Sequence, residues 1–367
     1  MNRAEKLSKL IKSANIAGVV LNPGSSLTYL TGLHFHLMER PTVLIFAPPA
    51  KPVLILPELE SAKLSSSLLE LVPFTYGDNP STWGNVFSAA INSIGLEKTA
   101  LAVEPTRLRF LELNYLQTAA PSLTFINGEA LFARLRIQKD NSEVADMRQA
   151  VRIAEAAFLA TLPGIKPGCT EREVAAELTL QLIRTGSDAE MPFEPIIASG
   201  PNSANPHAVP SDRKLQSGDL VVVDWGASFH GYVSDLTRTL AIGKVDPELR
   251  KIASVVERAN AAGRMVAVPG LSAGAVDRAA RQVITEAGYG EYFIHRTGHG
   301  LGMEGHEPPY MFGENEEELL PGMTFTVEPG IYLPGRGGVR IEDDVVITAE
   351  GAETLSSLPR ELYDISA

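Results

Sequence analysis

The chain of 367 residues carries 44 acidic against 32 basic side chains, a net charge of −12, with 44% hydrophobic and 21% charged residues. That length suits two domains able to bury roughly 70–75% of their unfolded surface, and that composition excludes a disordered or fibrous chain. The acidic balance argues against nucleic acid or an anionic membrane as a partner, since both need a basic face.

No apolar run approaches the ~20 residues that span a bilayer. The opening stretch MNRAEKLSKLIKSANIAG lacks the apolar core and cleavage site of a signal peptide. Cys169 is the only cysteine, which leaves no disulfide framework and no cysteine-based zinc site. The expected compartment is the cytoplasm.

In chain order, Leu7, Leu10 and Ile11 predict a helix over 3–16, and AGVVLN a strand that runs to Asn22 and a Pro-Gly turn. PTVLIFAPPAKPVLILPE reads as a hairpin about a Pro-rich turn. NVFSAAINSIG predicts a helix, KTALAVEP a short buried strand, TRLRFLELNYLQTA an amphipathic helix and SLTFING a further strand. These elements describe an α/β domain over residues 1–133. Asp140 with Glu143, and Thr170 with Glu173, form capping-box signatures for two helices that open the second domain, 134–367.

The chemistry concentrates in that second domain. In LVVVDWGASFHGYVSDLTRTL an apolar run ends at Asp224 and a second β-like run holds Asp235. With the turn at Phe229-His230 the two aspartates face each other, Cβ atoms roughly 4.5–5.5 Å apart. FTVEPGIYLPGRGGVRIEDDVVI repeats the pattern, placing Glu328 and Glu342 symmetrically about Gly335. Between these hairpins, HRTGHGLGMEGHE holds His295, His299 and His306, three of the seven histidines in the chain. A single aspartate at a strand end is most simply a turn cap, and a single histidine in a glycine-rich loop a satisfied polar group. Four carboxylates on apolar strands resist that explanation, because burial without cations costs several kcal/mol each. A hard, oxygen-rich ligand set of this kind suits Mn, Fe, Co or Zn, with enough ligands for two ions. His230, at the proposed turn, reads as structural or solvated.

The ordered set Asp224 in VVVDWGA, Asp235 in VSDLTRT, His299 in TGHGLG, Glu328 in TVEPGIY and Glu342 in VRIEDDV resembles the dinuclear site of the pita-bread metallopeptidases, the superfamily of methionine aminopeptidase, aminopeptidase P, prolidase and creatinase. The amino-terminal domain pulls the resemblance toward the Xaa-Pro branch. It implies an α/β amino-terminal domain followed by an α+β catalytic domain with a curved antiparallel sheet. It further implies a metal-dependent exopeptidase that hydrolyses Xaa-Pro bonds of short proline-containing peptides, using a hydroxide between two divalent ions (Mn, Co or Zn). Asp224 is then expected on one ion, His299 and Glu328 on the other, with Asp235 and Glu342 bridging. Glu328 doubles as proton shuttle; His207 and His306 stand on the substrate side, His306 at the oxyanion, and Arg340 braces the site. His295 and Tyr332 match further positions of the Xaa-Pro branch, and Phe193 a wall of the proline pocket. A homodimer is expected on the same grounds. Two positions depart from the pattern. Gly305 stands where a branched aliphatic is usual, and Tyr310 where some prolidases carry an arginine for the dipeptide carboxylate. The departures leave open a same-fold peptidase with another preference; a non-catalytic peptide-binding module is the reading from a different class.

Overall fold

The computed structural model describes residues 2–96 and 99–366. The chain divides into two compact units, one ending at Arg136 and one beginning at Ile137.

The first unit is built on a six-stranded sheet. Its central strand Gly18–Leu21 pairs antiparallel with Val43–Phe46 and parallel with Ala100–Val103. Val53–Pro57 and Val72–Tyr76 extend one side, and Thr124–Asn127 the other. Three of these strands are buried at every residue, the pattern of strands covered on both faces. The Pro-rich hairpin is present, with Val43 opposite Ile55. The KTALAVEP strand begins at Ala100, and Lys98 lies outside the described residues. The helix expected in TRLRFLELNYLQTA begins only at Phe110. Sequence patterning misses the helix Glu129–Arg136 and the 3-10 stretch Glu58–Ser66, and two further elements for plain physical reasons. The helix Ser25–Thr31 lacks a side-chain cap and is buried on most sides, so it shows no amphipathic stripe. The strand Val72–Tyr76 contains Pro73, which an edge strand tolerates because one row of its N–H groups has no partner.

The second unit opens with both predicted capping boxes, on helices Asn141–Thr161 and Glu171–Arg184. Trp225 is fully buried, stacks on Phe158 with ring centroids 4.5 Å apart, and donates its indole N–H to Ala154 O. Helices Pro247–Val266 and Ala273–Glu286 supply Ile252, Val256, Ala280 and Ile284 to a core shared with Ile331, Val339 and Ile341. Side chains alternate across a strand, so with Val339 and Ile341 turned to the helices, Arg340 and Glu342 face the other way. Phe325 and Val327 likewise pack in a core with Val276, which leaves Thr326 and Glu328 on the opposite face.

Two hairpins carry the acidic residues, and one has a different register from that expected. Phe229 pairs with Tyr232 and Asp224 with Thr237, not with Asp235. The turn is therefore His230-Gly231, both at positive φ (51° and 77°), as two-residue hairpin turns require. The displacement is two residues, an even number, so both aspartates keep the same face as diagonal rather than opposed neighbours. The second hairpin is centred on Gly335, as its spacing predicts. Gly330 pairs with Arg340, and after a break in the ladder Val327 pairs with Asp343. Glu328 and Glu342 fall in that break. Glu342 instead bridges to Thr237 of the first hairpin, which joins a four-stranded and a five-stranded sheet.

Candidate active site

A cavity of about 350 Å³ opens over the junction of the two hairpins. Asp224 enters it from the end of strand Leu220–Trp225, Asp235 from the residue before Leu236–Ile242, and His299 from the short strand Gly298–Gly300. Glu328 and Glu342 enter from the ladder break. The ligand atoms of Asp224, Asp235 and Glu342 lie within 4.8 Å of one another, as do those of His299, Glu328 and Glu342. A third such group joins Asp235 and His299 to His306. His207 and His306 line the open side and remain exposed, while Phe193 and His295 form walls. Tyr332 does not line the cavity; it is buried behind it.

His299 shows most plainly what this arrangement demands. Its Nδ1 lies 3.1 Å from Gly300 O, and a carbonyl only accepts, so Nδ1 carries the proton. The Nε2 lone pair then faces Asp235 Oδ2 at 3.6 Å and Glu328 Oε1 at 3.5 Å. Three electron-rich groups in a buried pocket repel one another unless a cation lies between them. Burial, with His306 beside it, drives His299 down to about 3, so a proton on Nε2 is not the answer. Burial raises Asp224, and raises Asp235 and Glu342 well above the carboxylate range, the last two further opposed by neighbouring acids. Glu328 rises to about 7, again through burial. Asp224 Oδ1 is buried without a hydrogen-bond partner. The carboxylate-rich donor set, the unprotonated Nε2 and the orphaned oxygen all fit divalent metal.

Behind these groups stands a brace. Arg340 Nη2 donates to Asp224 Oδ2 at 2.5 Å, Nη1 to Tyr332 Oη and to Pro206 O at 3.1 Å each, and Nε to Thr237 Oγ1 at 3.2 Å. Thr237 Oγ1 donates in turn to Glu342 Oε2 at 2.7 Å. His295 Nδ1 must donate to Arg296 O at 2.7 Å, so its Nε2 accepts from Tyr332 Oη at 2.9 Å. Burial accordingly holds His295 down at about 4, a neutral ring at physiological pH. Close backbone approach fixes the His299 strand, because a Cβ at Gly298 would lie 1.9 Å from Thr326 O. At Gly305, by contrast, a Cβ would meet nothing within 4 Å.

Sequence reasoning missed Thr237 and Arg296. Thr237 sits two residues after Asp235, and the correct turn at His230-Gly231 would have put it opposite Asp224. Arg296 carries no spacing signal; it reaches the cavity because it directly follows His295.

Residues 145–349 match the model of metallopeptidase family M24, and residues 3–138 that of the creatinase/prolidase N-terminal domain. The chain belongs to metallopeptidase family M24, with a creatinase-type amino-terminal domain and a pita-bread catalytic domain. A Mycobacterium tuberculosis protein named "Probable dipeptidase PepE" is 39% identical over 355 residues, 95% of this chain and 92% of that protein. The Xaa-Pro dipeptidase of Lactobacillus helveticus is 34% identical over 98% of this chain and 97% of its own. The crystal structure of recombinant prolidase from Thermococcus sibiricus superimposes with a TM-score of 0.93 at 35% identity, covering 99% of this chain and 98% of that one. Among the described residues no helix is long and apolar enough to cross a membrane.

Proposed function

We propose that this chain is a metal-dependent Xaa-Pro dipeptidase, working in the cytoplasm as a homodimer on short proline-containing substrates. The observation that carries the reading is the convergence of four buried carboxylates and the His299 lone pair on one cavity. The names of the full-length relatives support the choice of substrate.

Asp224, Asp235 and Glu342 would hold one divalent ion, and His299, Glu328 and the shared acids Asp235 and Glu342 a second. When bound, the ions (Mn, Co or Zn) supply Lewis acidity, which polarises a carbonyl and ionises water near neutral pH. The protein's own groups then set the course of the reaction. Glu328 accepts the proton of the attacking water and passes it to the proline nitrogen, a task suited to a carboxylate displaced toward neutrality. His306, exposed on the open side, donates to the developing oxyanion, and His207 closes the substrate side. Phe193 offers an apolar wall to the pyrrolidine ring. Arg340 fixes Asp224 and, through Thr237, Glu342, with Tyr332 and neutral His295 holding the guanidinium in plane.

The test is hydrolysis by chelator-stripped protein reloaded with Mn²⁺, Co²⁺ or Zn²⁺. The panel contains an Xaa-Pro dipeptide, an Xaa-Pro-Yaa tripeptide and a tripeptide with Ala in place of Pro. Metal-dependent cleavage of the dipeptide is the expected result. Preferred cleavage of the Pro tripeptide would make the chain an aminopeptidase P, and cleavage of the Ala control alone would refute the proline assignment.

A further inference from the structure

The cavity holds two arginines, and only one of them is committed. Arg340 is fully engaged with Asp224, Tyr332, Thr237 and Pro206. Arg296 is half-buried on the cavity wall, and among the described residues its guanidinium has no hydrogen bond or ion pair. It lies over the face of Tyr310, with Cζ 4.3 Å from the ring centroid. Tyr310 is the cross-strand partner of His299, so the stacked guanidinium sits beside the candidate metal centre.

Stacking holds a guanidinium by its face and leaves the N–H fork free along its edge. A fork kept in place without an acid of its own matches a planar carboxylate from outside the chain. An Xaa-Pro dipeptide brings one such group on its proline Cα, adjacent to the nitrogen of the scissile bond. We propose that Arg296 receives the C-terminal carboxylate of the dipeptide, with Tyr310 as the platform that aims it. The proposal rests on the Xaa-Pro dipeptidase reading. It also explains how position 310 can lack a cation: the charge arrives from position 296 and lies on the tyrosine. A tripeptide carries its carboxylate about one residue further out, roughly 3.3–3.6 Å for an extended chain, and loses this contact.

The experiment compares metal-loaded wild type, Arg296→Met, Arg296→Lys and Tyr310→Ala on an Xaa-Pro dipeptide and its C-terminal amide. Inhibition by free proline and by prolinamide gives a binding readout in the same samples, and ratios within one variant cancel any loss of folded enzyme. Arg296→Met is expected to lower the dipeptide-over-amide ratio of kcat/KM by roughly tenfold to a hundredfold, mostly through KM, as befits a charged hydrogen-bond pair. Proline inhibition should weaken by a similar factor relative to prolinamide. Arg296→Lys should keep part of the ratio, and Tyr310→Ala should lose part. An unchanged ratio in Arg296→Met, with wild type still cleaving the dipeptide, would overturn the carboxylate assignment and leave the Xaa-Pro reading standing. A wild type that cleaves neither proline substrate would overturn both.

Discussion

Glu342 and Asp343 are consecutive residues, both buried, and the protein treats them in opposite ways. Asp343 faces Arg238 at 2.9 Å and Arg360 at 2.7 Å, with Arg264 at 3.5 Å and Ser356 Oγ at 2.6 Å. Although burial opposes it, this cluster holds Asp343 down at about 2. Glu342 receives one hydroxyl, from Thr237, and is raised well above the usual range by burial and by Glu328 and Asp224. A strand sends alternate residues to opposite faces, so one chain segment serves both purposes. An acid with a structural role is folded together with its cations. An acid left short of cations, among others like it, belongs to a site that takes its positive charge from outside.

Breaking the cavity side should cost function. Asp235→Asn is expected to lower metal-dependent turnover on the order of a thousandfold or more, beyond the 10–100-fold typical of second-layer partners. The melting temperature of the chelated variant should not fall, because an acid whose ionisation burial and its neighbours oppose has gone; steady-state kinetics and calorimetry check the two halves. Breaking the other side should cost stability. Asp343→Asn leaves buried Arg238 short of its counter-ion and is expected to lose about 3–5 kcal/mol in a urea titration.

Arg340→Lys probes the border between the two regions. Lysine cannot contact Asp224, Tyr332 and Thr237 from one planar group, so activity should drop roughly 10–100-fold while the fold persists by circular dichroism.

Acidity distinguishes the two faces as well. Asp224, Asp235, Glu328 and Glu342 have folded values above their unfolded ones near 4. Their contribution to the chelated protein is full below about pH 4 and is lost as pH rises through the folded values, that of Glu328 being about 7. Asp343 runs the other way: its contribution is present above about pH 4 and disappears as pH falls toward about 2. His295 and His299, held near 4 and 3, oppose the cavity acids up to their unfolded value near 6.5, so thermal scans of chelated protein should show stability declining from about pH 6.5 to 8, and added Mn²⁺ should remove that slope by keeping the acids ionised. The smallest effect is expected at Gly305→Val, where open space predicts a stability change within about 0.5 kcal/mol.

What could be read from the sequence follows from which signals are local. Glu328 and Glu342 were legible because equal spacing about Gly335 survives into the structure. Asp224 and Asp235 were legible as a shared face, since a two-residue error of register preserves parity, but not as a pair, since the left-handed conformation of His230 was not anticipated. Thr237 and the Asp343 cluster stayed hidden because their partners come from other segments, 342 and 340 in one case, 238 and 360 in the other. Arg296 was hidden for a different reason: a charged residue beside a histidine is unremarkable until the cavity around it exists.

The most direct measurement is a calorimetric titration of Mn²⁺ into chelator-stripped protein near pH 7, run in two buffers of different ionisation enthalpy. Saturation at two ions per chain is expected, with a heat that differs between buffers because Glu328, raised by burial to about 7, releases its proton as the metal enters. Absence of saturable binding, or binding with the same heat in both buffers, would contradict this expectation.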